Sequence, residues 1–215
     1  MPSAAAINRA AFGAEAQAQK PSMGYGSQTK MAVGTFAFHK LRADDLRAQH
    51  RWVDSAQEYR TALELNPQDI ETRLLMAETL SRSGKTQDAE AQFEKAQNMA
   101  PSDPAVYYRR GNLYREQKQQ AKAISAFQKA IRLDSGHKFA HNNLGVVYME
   151  KGEYEKAASE FKKVLDIDPK YDKAMLNLGI IYDDNLGDKE SALKYYDMYI
   201  EAGGDRRGEV ERWAE

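Results

Sequence analysis

The chain has 215 residues, 42% of them apolar and 29% charged, with a formal net charge of −1. That balance suits one or two globular domains or a repeat array, and it gives no global electrostatic case for a nucleic acid or an anionic membrane. There are no cysteines, which excludes a disulfide scaffold, a thiol nucleophile, a zinc–thiolate site and a lipid-modified cysteine.

In chain order, residues 1–30 are expected to be a flexible or disordered segment. MPSAAAINRAAFGAEAQAQK is rich in alanine, but Asn8 and Arg9 interrupt its apolar stretch, so it makes a poor signal-peptide core with only a faint transit-peptide flavour. Pro21–Gln28 reads as a spacer, and 1–27 holds too little apolar area to order itself. The basic excess here, Arg9, Lys20 and Lys30 against Glu15, is too small to name a partner. No run of about 18 apolar residues occurs, so no membrane span is expected. The cytoplasm is the default compartment, with the periplasm and organelles still open.

From residue 31 to residue 205 the chain repeats itself every 34 residues. Pro67, Pro101, Ser135 and Pro169 keep this spacing, as do Tyr59, Phe93, Phe127 and Phe161. So do Ala62, Ala96, Ala130 and Val164; Ala43, Ala77, Gly111, Gly145 and Gly179; and Leu46, Leu80, Tyr114, Tyr148 and Tyr182. With the proline at repeat position 32, the units are 36–69, 70–103, 104–137, 138–171 and 172–205. Each carries a small residue at position 8, Tyr or Leu at 11, a small residue near 20, an aromatic at 24 and usually Ala at 27. These spacings are helical. Gly84 and Gly152 fall between the two helical stretches, so each unit is two antiparallel helices, A then B. The fifth unit keeps the pattern only if one residue is inserted near Asn185–Gly187, because Gly179 to Ala192 is 13 residues where Gly145 to Ala157 is 12. The first unit is the weakest, with Arg42 where unit four has Leu144. Beyond Gly203–Gly204, residues 206–215 are expected to form a capping helix, with Val210 and Trp213 covering the apolar flank of the last unit.

These columns, clearest as Leu144–Gly145, Tyr148, Ala157, Phe161 and Pro169, resemble the tetratricopeptide-repeat family. The resemblance covers roughly 80% of the chain and implies an all-α fold, a right-handed α-solenoid of about five antiparallel helix pairs. In that family the A helices line a concave groove.

A question arises in KFAHNNLGVVY, Lys138 to Tyr148, where two asparagines interrupt an apolar helix although asparagine is a poor helix former. A helix turns about 100° per residue. His141, Leu144, Gly145 and Tyr148 therefore face helix B, while Asn143 sits about 200° from His141 and Asn142 lies on the flank. Repeat positions 2, 5, 6, 9, 12 and 13 are then expected to face the groove. They supply the candidate partner-binding residues Tyr108, Arg109, Asn112 and Arg115 of unit three, Asn142, Asn143, Val146 and Met149 of unit four, and Lys173, Asn177 and Ile180 of unit five. Val146, Met149, Leu176 and Ile180 are expected to form an exposed apolar patch. The competing expectation is that neighbouring A helices touch and bury part of it. Asn143 and Asn177 share position 6, and an amide offers a donor and an acceptor for an extended peptide.

The family resemblance also implies a sharper possibility. Co-chaperones of this family grip acidic C-terminal peptides with Lys and Asn of one unit, Asn of the next, and Lys and Arg of the third. Asn112, Asn143 and Lys173 match, but Tyr108 and Asn177 replace the other Lys and the Arg, which removes charge-assisted bonds to a carboxylate. Arg109 and Arg115 are the candidates to compensate.

None of the four histidines falls in a metal-ligand spacing, and no phosphate-cradling loop or catalytic constellation is recognisable. No cofactor, metal or catalytic residue is expected. Lys and Arg do not cluster with aromatics, which speaks against nucleic acid. His141 occupies a packing column. The reading is a non-catalytic scaffold or assembly adaptor that takes a peptide or partner helix in the groove. The alternatives are a co-chaperone-like binder of acidic C-termini, or a structural subunit of a larger assembly, of the bacterial envelope for example.

Overall fold

A computed structural model describes residues 34–206 and 208–210. Among them the period becomes five successive helix pairs: α1 (Phe36–Ala48) with α2 (Trp52–Leu65), α3 (Ile70–Arg82) with α4 (Thr86–Met99), α5 (Pro104–Glu116) with α6 (Gln120–Leu133), α7 (Lys138–Glu150) with α8 (Tyr154–Ile167), and α9 (Asp172–Ile180) with α10 (Lys189–Glu201). No strand occurs among the described residues. The expectations for residues 1–30 and for Trp213 lie outside them.

Local chemistry explains where each helix begins and ends. Repeat position 34 caps the following A helix in four of the five pairs, Tyr171 before α9 making no side-chain cap. Thr35 accepts from the Phe38 amide, Asp69 from Thr72 and Asp103 from Ala105, satisfying donors that a helix start leaves orphaned. His137 Nδ1 does the same for Ala140 at 3.3 Å. Between A and B the chain turns on one left-handed residue: His50, Gly84, Lys118, Gly152 and Gly187, with φ between 58° and 82°. Glycine enters this region freely, whereas His50 and Lys118 enter it at a cost.

The helices fall into two compact units, α1–α6 up to Ser135 and α7–α10 from Gly136. In the first, Ala43, Ala56, Tyr59, Leu63, Leu75, Met76, Leu80 and Ala89 form one buried cluster. Leu74, Ala77, Phe93, Ala96, Val106 and Leu113 form the next. In the second, Met175, Ile180, Ala192, Tyr196, Tyr199 and Val210 close the end of the chain.

The contact that recurs is between the small residue at position 8 and the aromatic at position 24. A Cβ built on Gly111 would lie 2.6 Å from the Phe127 ring, one on Gly145 2.9 Å from Phe161, and one on Gly179 2.3 Å from Tyr196. The ring occupies the volume that a side chain would take.

The extra residue of unit five is absorbed as a π-helical turn, Ile181–Leu186, which ends at the left-handed Gly187. A π turn widens the backbone ring by one residue, so α10 keeps its packing phase. At the end of the chain, Tyr199 lies against Gly204, donates to Asp205 Oδ1 at 2.8 Å and accepts from the Arg206 amide at 2.9 Å. Val210 is fully buried, as expected of a lid on the last unit.

Gly179→Ala is expected to lose about 1–2 kcal/mol in urea unfolding, overpacking outweighing the helix-propensity gain. Gly145→Ala, with more room, should lie closer to neutral. Lys118→Gly is expected to gain about 0.5–1 kcal/mol by relieving the left-handed backbone.

Candidate functional site

The A-helix face begins, in the first unit, as a ladder of charges. Arg109 on α5 places Nη2 2.8 and 3.0 Å from the Glu71 carboxylate and Nη1 3.1 Å from Glu78 Oε1, both acids on α3. Arg47 on α1 reaches Glu78 from the other side at 3.4 Å. Burial works against the Arg109 charge, but Glu78 and Glu71 more than compensate and raise its pKa. Glu78 is pushed above the ordinary carboxylate range by burial, which Arg109 and Arg47 only partly offset. Three consecutive A helices are thus tied together, and Arg109 is committed to two internal acids rather than held ready for a peptide carboxylate. Tyr108 on the same helix leans its ring on Phe127, centroids 6.1 Å apart. Asn112 and Arg115 are half-buried.

In the second unit the expected open face is closed. Asn142 is 2% exposed, Asn143 4%, Val146 1%, Asn177 2% and Ile180 3%. This corrects the expectation of a solvent-facing patch. A helical wheel measured against helix B takes account of one neighbour, whereas a helix inside an array has neighbours on further sides. Ile180 joins a terminal cluster that includes Val210, beyond the pair, as well as Tyr196 and Tyr199 of its own helix B. Met149 and Leu176 are half-buried and Lys173 is exposed. Of the candidates, Tyr108, Arg109, Asn112 and Arg115 share α5, while Asn142, Asn143, Val146, Met149, Lys173, Asn177 and Ile180 lie on α7 and α9 of the other unit.

Three buried amides make this face chemically unusual. Asn142 Nδ2 donates to Asn143 Oδ1 at 3.0 Å. Asn142 Oδ1 and Asn177 Nδ2 are buried with no hydrogen-bond partner. One is an acceptor and the other a donor, and each such orphan costs on the order of 1–3 kcal/mol. At the rim, Phe139 is 47% exposed, with Tyr171 edge-on at 6.4 Å and the Lys138 ammonium over both rings at 5.2 and 5.6 Å. At the far end of α9 stand Asp183, paired with Lys189 at 2.5 Å, and Asp184, whose carboxyl is pushed up by burial and by Asp183.

A second set of polar pairs was not anticipated. His39 Nδ1 meets Glu58 at 2.7 Å, Arg73 meets Gln92 at 3.1 Å, and His141 Nδ1 meets Glu160 at 2.6 Å. All join repeat position 4 to position 23 across an A–B pair. The signal was present in the sequence, since His39 and His141 share one column and Glu58 and Glu160 another. His141 is buried against helix B, consistent with its packing column, and its partner makes the contact an ion-pair position. Among the described residues no group of three or more His, Asp or Glu could hold a metal ion, and no helix is long and apolar enough to cross a membrane.

Burial pushes the Glu160 carboxyl up, but hydrogen bonds from His141 and Lys163 outweigh it and hold it below the ordinary glutamate range. A carboxyl lowered on folding contributes stability that is complete above the ordinary glutamate value and is lost as pH falls through the lowered one. Unfolding measured at stepped pH is expected to lose part of its acid-side slope in Glu160→Gln. An unchanged slope would show that the His141–Glu160 contact does not couple to folding.

Tetratricopeptide repeat family models match residues 74–138, 139–171 and 173–202, together more than half of the chain. No curated protein matches it. Among solved structures, the chain is similar to MamA at 25% identity, covering 83% of this chain and 96% of that one with a TM-score of 0.65. Yeast Tom70 matches at 16% identity and a TM-score of 0.73, over 84% of this chain and 39% of Tom70. YrrB, described as a TPR protein with an unusual peptide-binding site, matches at 22% identity and a TM-score of 0.58, over 76% of this chain and 84% of its own.

Proposed function

The chain belongs to the tetratricopeptide-repeat family, and from that premise we propose that it is a non-catalytic interaction scaffold or assembly adaptor. Its partner is a peptide or helix taken on the A-helix face of α7 and α9. The observation that carries this reading is the orphaned pair there. Asn142 Oδ1 and Asn177 Nδ2 are an acceptor and a donor that the protein itself leaves unmatched, the complement of a polypeptide's own polar groups. Folded alone, the face is penalised by both. With a peptide in place the penalty becomes a favourable term, which is how a binding site differs from a core.

The rim chemistry supports the same reading. Phe139 and Tyr171 offer aromatic area, and Lys173 offers an exposed cation; aromatic residues are favoured anchors at interfaces. An acidic C-terminal peptide is served less well, because Arg109 already answers Glu71 and Glu78 and Tyr108 and Asn177 supply no charge.

The deciding experiment is affinity capture from the native host followed by mass spectrometry, with the intact chain and with Asn177→Ala. The variant is expected to keep its melting temperature within a few degrees, since it removes an unpaired amide, and to lose its partner about tenfold. Capture that is unaffected by Asn177→Ala overturns the reading.

A further inference from the structure

Two columns of the repeat break their pattern at one place. Position 34 supplies a capping side chain before α1, α3, α5 and α7, from Thr35, Asp69, Asp103 and His137. Before α9 it is Tyr171, which makes no cap and so forgoes the stabilisation that a capping oxygen supplies. Position 2 carries Ala37, Glu71, Ala105 and Lys173 in the other units, but Phe139 on α7. These two departures meet in space. The rings of Phe139 and Tyr171 lie 6.4 Å apart with their planes at 71°, and Phe139 is 47% exposed. Local rules broken in favour of an exposed aromatic pair are the mark of a functional position.

The pair already holds a cation. Lys138 Nζ lies 5.2 Å from the Phe139 centroid and 5.6 Å from that of Tyr171, and it donates to Asp168 Oδ2 at 2.7 Å. Asp168 Oδ1 accepts from the Lys170 amide at 3.2 Å, which fixes the carboxylate. The hydrogen bonds from Lys138 and from the Lys170 amide hold its carboxyl below the ordinary aspartate range. His137 stands edge-on to Phe139 at 6.5 Å. Two rings set at a steep angle and a fixed carboxylate are the parts from which a cation seat is built. The Lys138 and Asp168 side chains are each about one-third exposed, so the ammonium can leave for water.

We infer that Phe139, Tyr171 and Asp168 form a seat for an arginine side chain of the bound polypeptide, and that Lys138 fills this seat in the free protein. The inference rests on the reading of the α7–α9 face as the binding face and adds the chemistry of one anchor on the partner. Arginine follows from the contacts. An incoming ammonium repeats those of Lys138 and gains nothing by the exchange. A guanidinium lays its plane on a ring while its edge donates to a carboxylate, and it is less strongly hydrated. Because Lys138 has to leave first, the apparent affinity is reduced by the fraction of chains whose seat is open.

The test uses the full chain and three small probes: acetyl-arginine amide, acetyl-lysine amide and acetyl-citrulline amide, the last with the shape of arginine but no charge. Binding is followed by the backbone amide resonances of residues 137–139 and 168–171. Arginine is expected to bind at least about threefold tighter than lysine, and citrulline not to bind. Lys138→Ala is expected to tighten arginine binding about fivefold, since the seat is then open in every chain. Phe139→Ala, at an exposed position, is expected to abolish binding and keep the fold. Tyr171→Asp, which installs the residue found before α3 and α5, is expected to abolish binding while melting no lower than the intact chain. Citrulline or lysine binding as tightly as arginine, no gain in Lys138→Ala, or arginine binding that survives Phe139→Ala overturns the inference. None of the probes depends on Asn177, so failure here and failure of partner capture are separate results.

Discussion

Everything in this chain depends on one contact, an aromatic ring from helix B seated where helix A has no side chain. Phe127 over Gly111, Phe161 over Gly145 and Tyr196 over Gly179 set the distance between the two helices of a unit. Tyr59 and Phe93 sit at the same register with Ala43 and Ala77 opposite, where a single methyl is tolerated, all fully buried. Hydrophobic burial drives the pairing, but the missing Cβ decides how close the pair comes. Once that distance is set, the helix ends follow from short-range chemistry: a cap at position 34, a left-handed residue between A and B.

Polar groups then do what apolar packing cannot. The His39–Glu58 and His141–Glu160 pairs join the two helices of a unit at one register. Buried pairs of this kind add little net stability but penalise a slipped alternative, which would strand a charge. Arg47, Glu78, Arg109 and Glu71 do the equivalent between units. The A-helix face of α1, α3 and α5 therefore spends its charges on holding itself together. The same face of α7 and α9 carries amides that are not all answered internally.

The repeat, the helix pairs, the inserted residue of unit five and the packing role of Val210 were legible because each leaves a trace at fixed spacing. Periodicity is a property of the contacts between a helix and its own pair, and those contacts recur. The environment of the A-helix face was not legible. Asn143 and Val146 look exposed on a wheel drawn against α8, yet both are almost fully buried, which one helix pair does not show. The commitment of Arg109 was hidden for the same reason: Glu71 and Glu78 lie 38 and 31 residues upstream, one on each side of a whole repeat period. The position 4–23 pairs could have been found by reading polar columns with the care given to apolar ones.

The π turn of unit five has a meaning beyond its unit. An added residue in a periodic chain ordinarily shifts the phase of everything downstream. Here six residues with a wider turn take up the slip, and Ala192, Tyr196 and Tyr199 enter the last core as if nothing had been added. The wound backbone behaves as an expansion joint. A repeat protein with such a joint can gain or lose a residue at the end of helix A, and so alter the chemistry near Asp183 and Asp184, while helix B and the closing turn around Tyr199 stay in register.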